Sequence, residues 1–159
     1  MDNIFKFMSS EPQKYSGGKL WRASSRNFAA LKGLAIQALE LKTGSFREPH
    51  VHPNAHQLDY CLSGSARVGI VGPEGHKQYL DLNEGDISFV PQGYLHWIEN
   101  VGKNPLHFLV ILSHEEPETI ELSEMIAGVS PHNIKQLFGV EAEALGKIPI
   151  GGHRISEGF

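Results

Sequence analysis

The chain of 159 residues holds one cysteine, Cys61. A lone thiol excludes an internal disulfide framework and fits a reducing compartment. Long apolar runs are missing as well: no stretch approaches the ~18 consecutive apolar residues that a spanning helix needs. Charges and Pro12 interrupt the N-terminal segment, which has no signal-like apolar region. The expectation is a cytoplasmic protein with no membrane partner. Basic excess is also absent. The 14 Lys and Arg are outnumbered by 18 Asp and Glu, for a formal net charge of -4, and they are scattered, so there is no electrostatic footprint for nucleic acid. No segment is long enough for a separate helix-turn-helix, and there is no internal repeat, low-complexity tract or linker. These absences leave a single soluble domain with a small-molecule or protein partner.

What is present is turn chemistry at close, regular spacing. "PHVH", "QLDYCLSG", "SARVGIVG", "HKQYLDL", "DISFV", "LHWIEN" and "LHFLVIL" are short apolar or alternating runs, separated by "GPEG", "NEGD", "PQG" and "GKNP". That pattern predicts an antiparallel all-β sandwich or barrel. "GLAIQALELKTG" has mixed propensity, and its short length between Gly33 and Gly44 favours a strand. Residues 1–33, punctuated by Pro12, Gly17 and Gly18, are expected as an arm packing on the barrel of residues 34–113. After Ser113 the period changes. Leu122, Met125, Ile126 and Val129 fall at helical spacing, and Ser130, Pro131 and Gly139 have the placement of an N-cap, a first helical residue and a C-terminal stop. Residues 114–159 are therefore expected as a short helical appendage.

Three histidines crowd into "HVHPNAH". His50 and His52 are two apart on a predicted strand, so their rings leave one face and converge, which makes half of a metal site. His96 is the third candidate: Pro91 and Gly93 make a turn ahead of it that returns the next strand over the first. Adjacent Gln57 and His56 have opposite parity, so strand alternation allows only one of them to point inward. Asp59 and Cys61 share the parity of Gln57; Cys61 reads better as a small core residue. Phe89, Leu95, Trp97 and the 108–112 run are expected as core or pocket wall. His56, His76, His107, His114, His132 and His153 have no partner spacing and are expected at the surface or as hydrogen-bonded core residues.

Gly44, His50, His52, Gln57 and Gly64 follow the spacing of the first cupin motif, with Gln57 where that motif usually has Glu. Gly85, Pro91, Gly93, His96 and Asn100 follow the second motif without exception. Over roughly residues 28–140 the chain resembles cupins of the oxalate-decarboxylase type, whose metal motif commonly reads HxHPNADE. The resemblance implies a jelly-roll-like barrel (double-stranded β-helix) in two antiparallel sheets. It also implies one divalent metal ion, manganese or iron before nickel, zinc or copper, and a homodimer. Carried over, the metal ligands are His50, His52, His96 and Gln57. An amide in place of a carboxylate supplies no negative charge; affinity should fall, and the ion should become a stronger Lewis acid that is harder to oxidise. Arg47 matches an arginine that holds a substrate carboxylate in such sites; the alternative is a solvated strand-end residue. Glu116 aligns with a lid glutamate that serves as proton donor; the alternative is a solvated connection between strand and helix. The resemblance thus implies a metal-dependent lyase (decarboxylase) or oxidoreductase acting on a small carboxylate. A non-enzymatic binding module, a storage cupin, and a dioxygenase or isomerase remain open.

Overall fold

A computed structural model describes residues 3–140 and 154–157. Twelve strands and two short α-helices follow one another: β1 Gln13–Tyr15, β2 Gly18–Ala23, β3 Ala35–Leu41, β4 Phe46–Val51, β5 Gln57–Ser63, β6 Ser65–Val71, β7 Lys77–Asn83, β8 Ile87–Val90, β9 Leu95–Asn100, β10 Leu106–Leu112, β11 Ile120–Glu121, α1 Leu122–Gly128, α2 Pro131–Phe138 and β12 Ile155–Ser156. One sheet runs β1-β2-β3-β10-β5-β8 and the other β11-β4-β9-β6-β7, with β12 on β4. All the pairings are antiparallel. Among the described residues no helix is long and apolar enough to cross a membrane.

Alternation builds the interior. In β5, Gln57, Asp59 and Cys61 are buried while Leu58, Tyr60 and Leu62 face out, as period-2 side-chain geometry requires. Leu39, Cys61, Val68, Ile98, Phe108 and Leu112 belong to one core cluster drawn from both sheets. Cys61 is thus a core residue. The segment expected as an arm does more than pack on the barrel: β1 and β2 extend the first sheet, with Leu20 opposite Leu39 and Arg22 opposite Gln37. Phe89 corrects an expectation. It is 54% exposed, because β8 turns Ser88 and Val90 inward and leaves the intervening residue outside.

The turns have the chemistry they need. Gly93 sits at φ +79, where a Cβ is disfavoured, and its N–H donates to the carbonyl of His52 at 2.9 Å. One glycine thereby fastens the turn before His96 to the loop that carries His52. Ser130 caps α2 by accepting from the Asn133 N–H, and Gly139 ends that helix in the left-handed region.

Candidate metal centre

His50 from β4, His52 just beyond its end and His96 from β9 meet inside the barrel. Their ring centroids are 4.2 to 5.3 Å apart, and one nitrogen of each lies within 4.8 Å of the others. All three are at most 3% exposed. Each Nδ1 faces a backbone carbonyl: Glu48 at 2.7 Å for His50, Glu118 at 2.7 Å for His52 and Tyr94 at 3.0 Å for His96. A carbonyl only accepts, so each Nδ1 carries the proton and the Nε2 lone pair is left for the interior. Burial first, and then the positive charge of Arg47 and the other imidazoles, holds His50 well below the usual histidine range. Burial, followed by His52, brings His96 down to about 3. Neutral imidazoles with inward lone pairs are the ligand form of histidine.

Gln57 is buried opposite His96, and His56 is outside. The Gln57 Nε2 donates to Asp59 Oδ1 at 2.8 Å, which turns Oε1 toward His96 Nε2 at 3.1 Å. His56 instead accepts the Gln92 N–H and stacks on Phe89. With His96 neutral and its proton on Nδ1, the 3.1 Å contact brings two acceptors face to face. A cation held by Gln57 Oε1 and His96 Nε2 would replace that repulsion with coordination. The donor set of three imidazoles and one amide oxygen therefore fits a divalent ion.

Arg47 lies on the same inner face as His50 although the two are three residues apart, an odd spacing that sends side chains to opposite faces of a regular strand. A bulge resolves this: Arg47 pairs with Ile98 and His50 with His96, so β4 has one residue more than β9 over that interval. Arg47 is 2% exposed, so it is not a solvated strand-end residue. Both ends of its guanidinium donate to Glu121, each at 2.7 Å. An internal carboxylate thus occupies the fork that the resemblance reserves for a substrate.

Glu116 is exposed and accepts from Ser25 Oγ at 3.0 Å and Arg26 Nε at 3.2 Å, contacts that hold its carboxyl below the ordinary value. It borders a cavity of about 220 Å³ that Arg22, Arg26, Gln37 and Thr119 also line. Thr119 reaches back to the centre, with Oγ1 3.2 Å from His52 Nδ1.

Two contributors escaped the sequence reading. Arg22 shares the inward parity of Leu20, and its Nε and Nη2 are buried without a hydrogen-bond partner among the described residues; burial, then repulsion from Arg47, lowers it to about 10. Its place two residues after Leu20 in "KLWRA" is its only sequence signal. Glu121 forms a reciprocal capping box with Glu124 at the start of α1, and the acidic residues three apart were the available clue. Of the remaining histidines, His76, His107 and His132 are exposed and His114 is half-buried; His153 lies outside the described residues.

The sequence profile of the cupin family matches residues 7–144. Oxalate decarboxylase OxdC of Bacillus subtilis (strain 168) is 33% identical over 123 residues, which cover 77% of this chain and 32% of that protein. A putative germin-like protein of Arabidopsis thaliana, subfamily 1 member 9, is 31% identical over 124 residues, covering 76% and 56%. The structure of the Bacillus oxalate decarboxylase at pH 4.6 superposes with a TM-score of 0.92 at 27% identity, over 98% of this chain and 41% of that one. This chain therefore spans less than half the length of the decarboxylase, and about half that of the germin-like protein. Its two sheets, its inward histidines and the profile match agree: the chain belongs to the cupin family.

Proposed function

We propose that the protein is a metal-dependent cupin acting on a small carboxylate-bearing molecule, with one divalent ion held by His50, His52, His96 and Gln57. The observation that carries this reading is the 3.1 Å contact between the Nε2 lone pair of His96 and the Gln57 carbonyl oxygen. The Mn(II) centres of Bacillus subtilis oxalate decarboxylase make manganese the first ion to test, with iron next. The ion would polarise coordinated carboxylate oxygens.

The chain's own residues supply the rest. Arg22 has unused donors beside the cavity and can take a ligand carboxylate. Arg47, already paired with Glu121, contributes positive potential and rigidity. Replacing His50 and His52 together by Ala should abolish metal uptake, measured by elemental analysis, while circular dichroism stays that of a β protein. Unchanged metal content would refute the ligand set. Arg22→Ala should weaken binding of small carboxylates to the metal-loaded protein by ~10-fold or more, in line with the ~1.5–3 kcal/mol of a hydrogen bond to a charged group, and leave metal content intact.

One observation favours a second reading, a cupin that binds its ligand without turnover. Glu116 is held anionic by Ser25 and Arg26, the reverse of what a proton donor needs. Carbon dioxide or formate released from oxalate by the manganese-loaded chain decides for the enzyme; tight carboxylate binding without product decides for the binding module. We also propose a homodimer, supported by the apolar outer face of β5, β8 and β10.

A further inference from the structure

Asp59 has no role in the reading above, yet it is the most enclosed carboxyl near the centre. It is fully buried, and no Lys or Arg among the described residues forms an ion pair with it. As a carboxylate it accepts at both oxygens: Oδ1 from Gln57 Nε2 and Oδ2 from Ser88 Oγ, each at 2.8 Å. The strand geometry puts it there, since Gln57 and Asp59 are two apart on the inward row of β5 and Asp59 lies directly opposite Ser88 of β8. A relay results, running from the Ser88 hydroxyl through the Asp59 carboxyl to the Gln57 amide, whose Oε1 faces the lone pair of the His96 ring.

An uncompensated buried carboxylate is costly unless something positive shares its surroundings. An amide hydrogen-bonded through its N–H to a carboxylate has a more electron-rich carbonyl oxygen, because the two groups polarise each other. An unassisted glutamine is free to present either end of its amide; a carboxylate at Nε2 settles which end faces the imidazoles. We propose that Asp59 is the positioning residue of the fourth ligand: it orients the Gln57 amide with Oε1 toward the histidines and delivers through it the negative charge that the Glu-to-Gln departure removed. The pair Gln57 and Asp59 thus does in two residues what one glutamate does in other cupins. This inference rests on the proposed metal centre.

The test is a double-mutant cycle on the metal-free full chain, titrated with Co2+ by calorimetry and followed by the ligand-field bands of the bound ion. Asp59→Asn keeps the shape and the contact to Ser88 but removes the charge; Co2+ affinity should fall roughly 10- to 100-fold, the usual scale for losing such an outer partner. The metal-free variant should melt no lower than wild type, since a buried carboxyl has been neutralised. Gln57→Glu should restore affinity in the Asp59→Asn background. In the wild-type background it should gain little, because it places two carboxylates in contact. Undiminished affinity in Asp59→Asn, a loss matched by a lower metal-free melting temperature and not rescued by Gln57→Glu, or additive effects around the cycle would each overturn the proposal. Should Asp59→Asn fail to fold, Gln57→Glu alone decides: a gain of about threefold or less supports the proposal, and about tenfold or more overturns it. Wild-type protein that takes up no Co2+, Mn2+ or Fe2+ would overturn the metal centre itself, and this inference with it.

Discussion

At the scale of single residues, each ring proton at the centre is assigned by a carbonyl. Glu48, Glu118 and Tyr94 hold the Nδ1 protons, which leaves His50 and His96 as neutral bases in a site that resists protonation. This has a consequence for the metal-free protein. An unfolded histidine titrates near 6.5, whereas His96 in the fold titrates near 3 and His50 well below its usual value. Between those limits the unfolded chain binds protons that the folded chain refuses, so stability falls as pH falls through this window. Each histidine contributes a slope of about 1.4 kcal/mol per pH unit. Asp59 acts with the opposite sign: burial raises it to about 7, so the folded state holds a proton that the unfolded state gives up above ~4. Urea denaturation of metal-free protein should therefore show stability declining from pH 6.5 toward 4, more steeply in Asp59→Asn. A flat profile in both would show that the imidazoles are not buried as neutral bases. His50 and His52 were legible from their spacing and His96 from the turn ahead of it, whereas the choice of Gln57 over His56 came from the resemblance to the cupin motif. The relay through Asp59 was not legible, since parity placed its side chain but said nothing of Ser88, which comes from a strand far along the chain.

Strands and helices carry the next level of constraint. The fully alternating β5 and the capped α2 could be read directly, each from a local pattern that tertiary packing reinforces. β1 and β2 could not: three and six residues long, and flanked by turn residues, they form a sheet only because β3 offers an edge. Arg47 shows the same limit at finer grain. Its inward aim depends on a bulge in β4, and its carboxylate partner on β11, a two-residue strand with no sequence signal of its own. The buried pair ties the strand that carries His50 to the start of α1. Removing one member leaves an uncompensated charge in the interior, so Arg47→Ala should cost about 3–5 kcal/mol of stability and disturb the position of His50. Arg47→Met with Glu121→Leu, which removes both charges, should recover most of that loss in urea denaturation. If Arg47→Ala is as stable as wild type and loses only carboxylate affinity, Glu121 is a placeholder that substrate displaces, and the substrate-clamp role implied by the resemblance stands.

At the scale of the whole molecule, the outer face of β5, β8 and β10 stands out among the described residues. Alternation that turns Gln57, Asp59 and Ser88 inward necessarily turns their neighbours out, and here those neighbours are apolar. Leu58 pairs with Phe89 and Tyr60 with Ile87 across β5 and β8, while Leu109 and Ile111 of β10 adjoin Tyr60 and Leu58 on the other side. Ile87 is 64% exposed and Phe89 54%. Scattered exposed apolar residues are ordinary, but a contiguous patch spanning three strands marks an interaction surface. The proposed homodimer would use this face, because a two-fold interface sets the same apolar patch against itself. Among the described residues β8 is also the edge strand of its sheet, so this apolar face runs to the sheet's margin. Light scattering after size exclusion should give twice the chain mass, and Ile87→Lys with Phe89→Glu should give a monomer whose β-sheet spectrum and metal content are unchanged, because both side chains point away from the centre. A wild-type monomer at micromolar concentration would eliminate the dimer. A dimer that survives the double substitution would move its interface to another face of the barrel.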